Sequence, residues 1–429
     1  MEITNYIAGK LVPELLRQKI IYIDGADDTE FINIDSVDVK ELNEAFALTK
    51  PYAVDVKLSR YAERDVKHEF HLVVKITPKM PQELYNNFQY DVLFESEETA
   101  YRDVIPALGR KDDFPKYYYS HREKTRAVMV LGNFSYEGWK LSQSRVNLDL
   151  NHILVAVHEL GKFHGECYAL KESNHGLFHI ITKSFRESRY AMDFDEIYGA
   201  MLKASPKRGT QAIRENHELR RMIPEEFLQK IEKLSEDPWN YFKKCVLPVE
   251  PLATIIHGDY LRNNIAFQYD EKAPHSPIKV MMFDFQTLRY ASPMIDLAVF
   301  LANSTGTDVR STHFSFIFKT YHEEVIKTLM FTLKKFRHEI DDIYSYENFL
   351  REYARMSMYG YIIAAQFLQV LHDPEEIDFE QMFAEGQRLG PDFFVQKAMK
   401  AGGEVVNYEL AGLIYDMYKL HQKLGIELE

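Results

Sequence analysis

The chain has 429 residues, of which 46% are hydrophobic and 27% charged, and its formal net charge is 52 − 65 = −13. These proportions are ordinary for globular proteins and exclude disordered, collagen-like and disulfide-stapled architectures. The excess of acid argues against a general nucleic-acid binder, whose electrostatic footprint is basic. The two cysteines, Cys167 and Cys245, provide neither a disulfide framework nor a zinc-ligand spacing, which favours a reducing compartment.

The N-terminal residues and the apolar runs bear on location. The chain begins without the basic region and apolar block of a signal peptide. No stretch reaches the roughly 18 uncharged apolar residues that a membrane span needs. We therefore expect a cytoplasmic protein with no membrane span, and no protein partner can be inferred.

The first third of the chain is predicted to be rich in strands. Strands with alternating or wholly apolar patterns are expected at residues 31–42, 51–62, 70–78 and 127–134. A helix is expected over residues 93–109, stopping near Pro106 and Gly109. We assign residues 1–30 to an N-terminal helical extension and residues 31–134 to a small β-rich N-lobe.

Residues 135–429 are predicted to form a larger, mostly helical C-lobe. An apolar stripe predicts a long helix over 148–170, followed by a polar, irregular stretch at 171–196. Within residues 254–286, two short apolar runs joined by a Pro-containing turn predict a β-hairpin. The predicted fold class is α+β, with a small β-rich lobe and a larger helical lobe.

The strongest chemical signal lies in that hairpin region. The segment HGDYLRNN runs from His257 to Asn264, and Asp284 follows 20 residues later. Phosphoryl transfer needs a carboxylate near the attacking hydroxyl and oxygen ligands for magnesium. Asp259 is suited to the first task, and Asn264 and Asp284 to the second. A lone Asp–Asn pair in a loop more often reflects turn chemistry, but its place before two strand runs favours the catalytic interpretation.

A second acid follows in the segment SPMIDLA, where Asp296 opens an apolar helical run. The simpler interpretation is an acid stabilised by the unpaired N–H groups of its own helix. We therefore assign Asp296 a supporting role and no direct chemistry.

The segments HGDYLRNN, MMFDFQ, ASPMIDLA and GKFHGECYAL together resemble the ecdysteroid kinase-like family of insects. That family falls within the choline and aminoglycoside kinase group, which shares the bilobal protein-kinase-like fold. The similarity extends from about residue 30 to about residue 370 and is strongest at 254–300. It implies that Asp259 is the catalytic carboxylate and that Asn264 and Asp284 bind Mg²⁺ beside ATP.

The resemblance also implies residues in the N-lobe. Lys75, at the end of the LVVK strand, matches the lysine that contacts the nucleotide phosphates. Its expected helix partner is Glu97, whose spacing to Tyr101 and Pro106 follows the family pattern, whereas Glu95 and Glu98 are expected to be solvated charges. His257 is expected to support the loop by hydrogen bonding. His164, beside an apolar stripe, is expected to be a hydrogen-bonded core histidine.

Three features depart from the family pattern. No glycine occurs between Ala26 and Leu108, so the loop expected to cover the phosphates, near residues 43–51, lacks the residue that lets backbone N–H groups approach phosphate. Ala45 takes such a position. The connector reads LGNF where relatives usually have acidic residues, and Leu261 stands where an aromatic residue is common.

These observations predict an ATP- and Mg²⁺-dependent kinase that phosphorylates a hydroxyl of a small molecule. The family resemblance implies that this molecule is an apolar alcohol, an ecdysteroid or a related metabolite. A choline- or ethanolamine-type kinase is the nearest alternative. The glycine-free loop motivates another, a pseudokinase that binds a hydrophobic ligand or a protein. A protein kinase is disfavoured because only 11 residues, too few for an activation loop, separate Asp284 from Asp296.

Overall fold

The computed structural model describes residues 2–23, 32–42, 49–61, 63–78, 80–191, 196–373 and 388–429. The chain divides into two compact units, Met1–Lys140 and Leu141–Glu429, here called the N-terminal and C-terminal units. This boundary lies six residues beyond the division that the sequence suggests. The β-rich first unit and the mostly helical second unit confirm the predicted α+β class.

The strands are β1 (Ile32–Glu41), β2 (Lys50–Arg60), β3 (Glu63–Ile76), β4 (Tyr117–Glu123), β5 (Arg126–Gly132), β6 (Thr254–Ile256), β7 (Ile265–Asp270), β8 (Ala273–Met282) and β9 (Arg289–Ala291). The α-helices of the N-terminal unit are α1 (Glu2–Tyr6), α2 (Val12–Arg17), α3 (Gln82–Asn87), α4 (Tyr90–Thr99) and α5 (Ile105–Ala107). Those of the C-terminal unit are α6 (Leu150–Ser173), α7 (His175–Lys183), α8 (Glu196–Ala204), α9 (Lys207–Glu215), α10 (Leu219–Met222), α11 (Glu225–Ser235), α12 (Pro238–Cys245), α13 (Met294–Ser304), α14 (Thr307–Leu333), α15 (Asp341–Tyr344), α16 (Tyr346–Leu371), α17 (Pro391–Ala398) and α18 (Gly403–Leu424).

An antiparallel five-stranded sheet in the order β1-β2-β3-β5-β4 forms the centre of the N-terminal unit. Along β2 and β3 alternate side chains are buried, as a strand with one face on a core requires. Tyr52 pairs with Val74 and Val54 with Leu72 on this buried face. Ile7, in the π-helical segment Ile7–Leu11 that joins α1 to α2, belongs to the same hydrophobic core, so the predicted N-terminal helical extension packs within this unit.

Two long helices pack closely in the C-terminal unit. Gly161 of α6 lies so near the main chain of α14 that a Cβ there would come within 2.5 Å of the Tyr321 carbonyl oxygen. Helix α13 is buried along its whole length, in keeping with its apolar sequence. It follows strand β9, which pairs with β6, and β6 directly precedes the predicted catalytic segment.

Several sequence-based expectations need correction or cannot be assessed. The stretch 171–196 is not wholly irregular, because α7 occupies part of it with Phe178 and Ile181 buried. Strand β4 and helix α3 were not expected. Ala45 and most of the loop around it lie outside the described residues. Among the residues described, no helix is long and apolar enough to cross a membrane.

Candidate active site

Lys75 and Glu97 form an ion pair within the N-terminal unit. Lys75 Nζ lies 2.8 Å from Oε1 and 3.0 Å from Oε2 of Glu97. The side chain of Glu97 is fully buried and that of Lys75 is 10% exposed. The predicted pairing is therefore confirmed, while a role in binding nucleotide stays a prediction.

The local sequence explains why these two side chains meet. Lys75 alternates with Val74 and Ile76, which belong to the core on the other face of the sheet, so it projects from the opposite face. Glu97 lies one turn after Leu93 on the buried side of α4. Glu98 instead bonds Arg102 and Arg122, and its side chain is only 16% exposed, so it is a paired helix charge rather than the solvated one expected.

In the C-terminal unit, the β7–β8 hairpin brings Asn264 and Asp284 to one end of a strand pair. Ile265 pairs with Met282, and the Phe283 N–H donates to the Asn264 carbonyl at 3.0 Å. Asn264 therefore directly precedes β7 at the same end of the hairpin at which Asp284 follows β8. This adjacency agrees with the arrangement that the two apolar runs predicted.

Asp284 has a backbone conformation that is rare outside glycine. Its φ is 68°, in the left-handed region that aspartate tolerates better than most residues. Unfavourable conformations of this kind persist where the surrounding structure enforces them, and they cluster at functional sites. The structure around the turn after β8 therefore holds Asp284 in this left-handed conformation.

The amide of Asn264 is held in a defined orientation. Its Nδ2 donates to the main-chain oxygen of Asp259 at 2.8 Å and to Asp259 Oδ2 at 3.2 Å. Asn264 Oδ1 accepts from Asn263 Nδ2 at 3.1 Å and keeps a second lone pair for another partner. The amide therefore presents its oxygen as a ligand while its nitrogen is bound to the loop.

The donor set fits magnesium. An amide oxygen and a carboxylate are hard ligands, and Mg²⁺ is usually held by one or two carboxylates together with water and substrate phosphates. The described residues contain no cluster of three or more His, Cys, Asp or Glu side chains that could hold a metal by themselves. Asn264 and Asp284 thus suit an ion that arrives with phosphate.

Asp296 supports the HGDYLRNN loop through hydrogen bonds to its main chain. Its carboxylate is fully buried, with Oδ2 accepting from the main-chain N–H of His257 and Oδ1 from that of Gly258, both at 2.8 Å. His164 Nε2 lies 3.2 Å from Oδ2 as well. The simpler interpretation, an acid bonded to the N–H groups of its own helix, is corrected: these hydrogen bonds join α13 to the loop.

The two histidines of this region are both buried and hydrogen-bonded. His257 Nε2 donates to the Phe283 carbonyl at 2.9 Å, so Nδ1 is left to accept from the Asp259 N–H at 3.3 Å. His257 thereby links the loop to the residue before Asp284, as expected of a supporting residue. His164 Nδ1 lies 2.8 Å from the Tyr321 hydroxyl, which agrees with the expected core histidine.

Gly258 is required where it stands. Its φ is +83°, and a Cβ at this position would lie 1.9 Å from the carbonyl oxygen of Thr287. The glycine lets the loop pass against the chain between β8 and β9 immediately before Asp259. The HGD order therefore has a steric reason as well as a chemical one.

Sequence reasoning missed an arginine beside the predicted base. Arg189 Nη1 lies 3.4 Å from Asp259 Oδ1, and both side chains are partly exposed, at 23% and 26%. Nearby, Glu187 accepts from Arg289 at 2.7 and 2.9 Å. The only signal in the sequence is a group of charges in SFRESRY, which a solvated loop would also carry.

No curated protein matches the chain significantly. Among solved structures, an aminoglycoside-3'-phosphotransferase of type VIII is similar at 13% identity, covering 76% of this chain and 92% of its own, with a TM-score of 0.31. A structural similarity with so low a TM-score says nothing about the activity of this chain.

The sequence model of one family does match most of the chain. The model of the ecdysteroid kinase-like family matches residues 47–333, which include Lys75, Glu97, the HGDYLRNN segment and Asp296. A β-rich first unit and a larger helical second unit agree with a kinase-like fold. The chain belongs to the ecdysteroid kinase-like family.

Proposed function

We propose that the protein is an ATP- and Mg²⁺-dependent kinase that phosphorylates a hydroxyl group of an apolar alcohol, an ecdysteroid or a related metabolite. The observation that carries the proposal is the cluster in the C-terminal unit: Asp259, bound by Asn264, at the end of the hairpin that Asp284 closes. A carboxylate for the acceptor proton and two hard oxygen ligands are what phosphoryl transfer requires of a protein.

Each residue has a distinct task in this proposal. Asp259 hydrogen-bonds the acceptor hydroxyl and takes its proton as the new oxygen–phosphorus bond forms. Asn264 and Asp284 would hold Mg²⁺, and Lys75, kept in position by Glu97, would contact the nucleotide phosphates. When bound, ATP would supply the phosphoryl group and leave as ADP as the bond between its γ-phosphorus and the bridging oxygen breaks, and Mg²⁺ would neutralise the charge that develops.

We further infer that the reaction takes place in the cytoplasm. Cys167 and Cys245 are both buried, and neither is joined in a disulfide. A chain of this size whose cysteines form no disulfide is typical of reducing compartments.

A screen of acceptors tests the proposal. The purified protein is incubated with ATP and Mg²⁺ and, separately, with ecdysteroids, sterols, choline and ethanolamine, and phosphate addition is detected by mass spectrometry. We expect a phosphorylated product with at least one apolar alcohol. A folded protein that modifies none of the acceptors would contradict the proposal.

The pseudokinase alternative is favoured by one observation, the lack of glycine between Ala26 and Leu108. It is opposed by the presence of Asp259, Asn264 and Asp284. Calorimetric titration with ATP, with and without Mg²⁺, distinguishes the two. Mg²⁺-dependent binding supports the enzyme, whereas no binding by a folded sample supports the pseudokinase.

A further inference from the structure

The charge next to Asp259 bears on which alcohols the site accepts, and the inference rests on the proposed function. Arg189 is close enough to Asp259 for an ion pair, at 3.4 Å between Nη1 and Oδ1. Because both side chains are partly exposed, an acceptor hydroxyl that reaches the Asp259 carboxylate also comes within a few ångströms of the guanidinium.

The backbone around Arg189 is held firmly. Glu187 Oε1 accepts from the main-chain N–H of Arg189 at 2.8 Å and from that of Tyr190 at 3.0 Å. The Tyr190 hydroxyl lies 2.6 Å from that of Tyr359 on α16. The segment that carries Arg189 is therefore fixed to the body of the C-terminal unit.

Glu187 does not neutralise Arg189, because its carboxylate is engaged by another cation. Arg289 donates to Glu187 through Nε and Nη2, and its Nη1 lies 3.4 Å from the Gly258 carbonyl. Burial opposes the charge of Glu187, but Arg289 and the backbone N–H groups together lower the pKa of this carboxyl. The charge of Arg189 thus remains to act on Asp259.

The consequence concerns cationic acceptors. A carboxylate alone attracts an ammonium group such as that of choline, whereas a carboxylate with an adjacent guanidinium presents no net charge. Two unit positive charges about 6 Å apart repel each other. The repulsion weakens the binding of a cationic acceptor by about threefold at an effective dielectric constant of about 80 and by about a hundredfold at about 20.

We propose that Arg189 is a specificity-determining residue that cancels the attraction of Asp259 for cationic alcohols and so restricts the acceptor to neutral or anionic ones. Exclusion of an unwanted substrate by a like charge is a common route to specificity. Choline and ethanolamine are then poor substrates because of one arginine outside the HGDYLRNN segment.

A matched pair of probes tests the assignment. Choline and 3,3-dimethyl-1-butanol have nearly the same shape and differ by one positive charge. Their dissociation constants are measured by NMR titration of the full chain loaded with Mg²⁺ and a non-hydrolysable ATP analogue. For Arg189→Met we expect the preference for the neutral alcohol to shift by about tenfold toward choline. The charge-retaining Arg189→Lys should keep the wild-type preference.

The remaining outcomes are also decisive. Arg221→Ala removes an exposed arginine on α10 and should leave the preference unchanged. An unchanged preference in Arg189→Met, or no binding of either alcohol to any variant, would overturn the assignment. Failure of the kinase proposal itself is a separate result: no transfer to any acceptor, whichever way the binding preference shifts.

Turnover gives a second reading where an acceptor is found. Arg189→Met should change KM for the acceptor while KM for ATP stays within about twofold, because the arginine acts on the acceptor side of Asp259. A loss of kcat alone, equal for charged and neutral alcohols, would point to a structural role and contradict the assignment.

Discussion

Glu97 is a fully buried carboxylate whose charge is matched by Lys75. Taking a carboxylate and an ammonium out of water is costly, and their mutual attraction compensates only while both are present. Glu98, one residue later, also pairs with cations, but its partners Arg102 and Arg122 are 62% and 32% exposed. Comparing the two separates the effect of burial from that of charge.

Glu97→Gln should therefore lower the free energy of unfolding by about 3 kcal/mol, because it leaves the Lys75 ammonium without a buried counter-charge. Glu98→Gln should cost about 1 kcal/mol or less. Urea unfolding of both variants measures the difference. Equal losses of unfolding free energy in the two variants would contradict this expectation, because the buried Lys75–Glu97 pair would then stabilise the protein no more than a surface ion pair.

Gly258 offers a second test at the residue scale. Gly258→Ala combines an unfavourable positive φ with a clash against the Thr287 carbonyl, so we expect a loss of at least about 2 kcal/mol in unfolding free energy. Gly138 has a similar φ of +84° but nothing within 4 Å of the added Cβ. Gly138→Ala should therefore lose only the conformational part, about 1 kcal/mol. A Gly258→Ala variant as stable as Gly138→Ala would refute the close approach.

At this scale the sequence predicts the residues of the motif better than their neighbours. The sequence predicts that Asn264 and Asp284 lie close together, because two apolar runs with a turn between them form a hairpin. Pairing of the two strands places the start of the first strand beside the end of the second. Arg189 could not, since 70 residues separate it from Asp259 and nothing local ties a loop arginine to a distant carboxylate.

At the scale of elements, Asp296 joins helix α13 to the HGDYLRNN loop. The carboxylate accepts two buried N–H groups from His257 and Gly258, and no other acceptor is seen for these two groups among the described residues. The loop is therefore held in its shape by an element 38 residues further along the chain.

Asp296→Asn should weaken this attachment, because an amide presents one acceptor oxygen where the carboxylate presents two. We expect faster hydrogen exchange at the amides of His257 and Gly258 and a loss of about 2 kcal/mol in stability. Asp308→Asn changes an acid in the first turn of α14 and should cost about 0.5 kcal/mol. Unaltered exchange in Asp296→Asn would contradict the proposed attachment.

Strands and helices whose apolar residues recur with a regular period along the sequence were predictable, and those without such a period were not. Along most of β2 buried side chains alternate with half-buried ones, and β3 buries Leu72 and Val74 around the half-buried Val73, so this pattern is visible in the sequence. Strand β4 lies at the edge of the sheet with no fully buried residue, and its sequence YYYSHRE has no alternation to read. Helix α7 is short and buries two side chains, too few to distinguish it from a loop.

At the scale of the whole molecule, three partly or fully buried histidines of the C-terminal unit link stability to pH. Burial lowers the pKa of His322, His372 and His421 from the ordinary value of 6.5. A lowered pKa means that the unfolded chain takes up protons first as the pH falls. Their contribution to stability is therefore complete above pH 6.5 and is lost below it.

We accordingly expect Tm to fall between about pH 7 and about pH 5, by about 2 to 4 °C for each kcal/mol lost. Differential scanning calorimetry across this range measures the slope. His322→Gln removes one titrating group and should flatten it, whereas His175→Gln, at an exposed site, should leave it unchanged. A Tm that is constant over this range would contradict the linkage.

The division into two units was predictable, because strands dominate the first third of the sequence and helical patterns the rest. The exact boundary between the two units was less predictable, since the connector after β5 has no proline-rich or charged stretch to mark it. The N-terminal helices also show a limit of sequence reading: their apolar residues complete the core of the sheet, which no local pattern indicates.

The central claim, that Asp259 is the base of a phosphoryl transfer to an alcohol, is tested most directly by comparing the wild type with Asp259→Asn. Single-turnover formation of a phosphorylated alcohol from ATP and Mg²⁺ is followed by mass spectrometry, with ATP affinity and Tm measured on the same samples. We predict that Asp259→Asn lowers the rate by about 10²- to 10⁴-fold and leaves ATP binding and Tm nearly unchanged. An equal rate in both proteins would show that another group takes the proton.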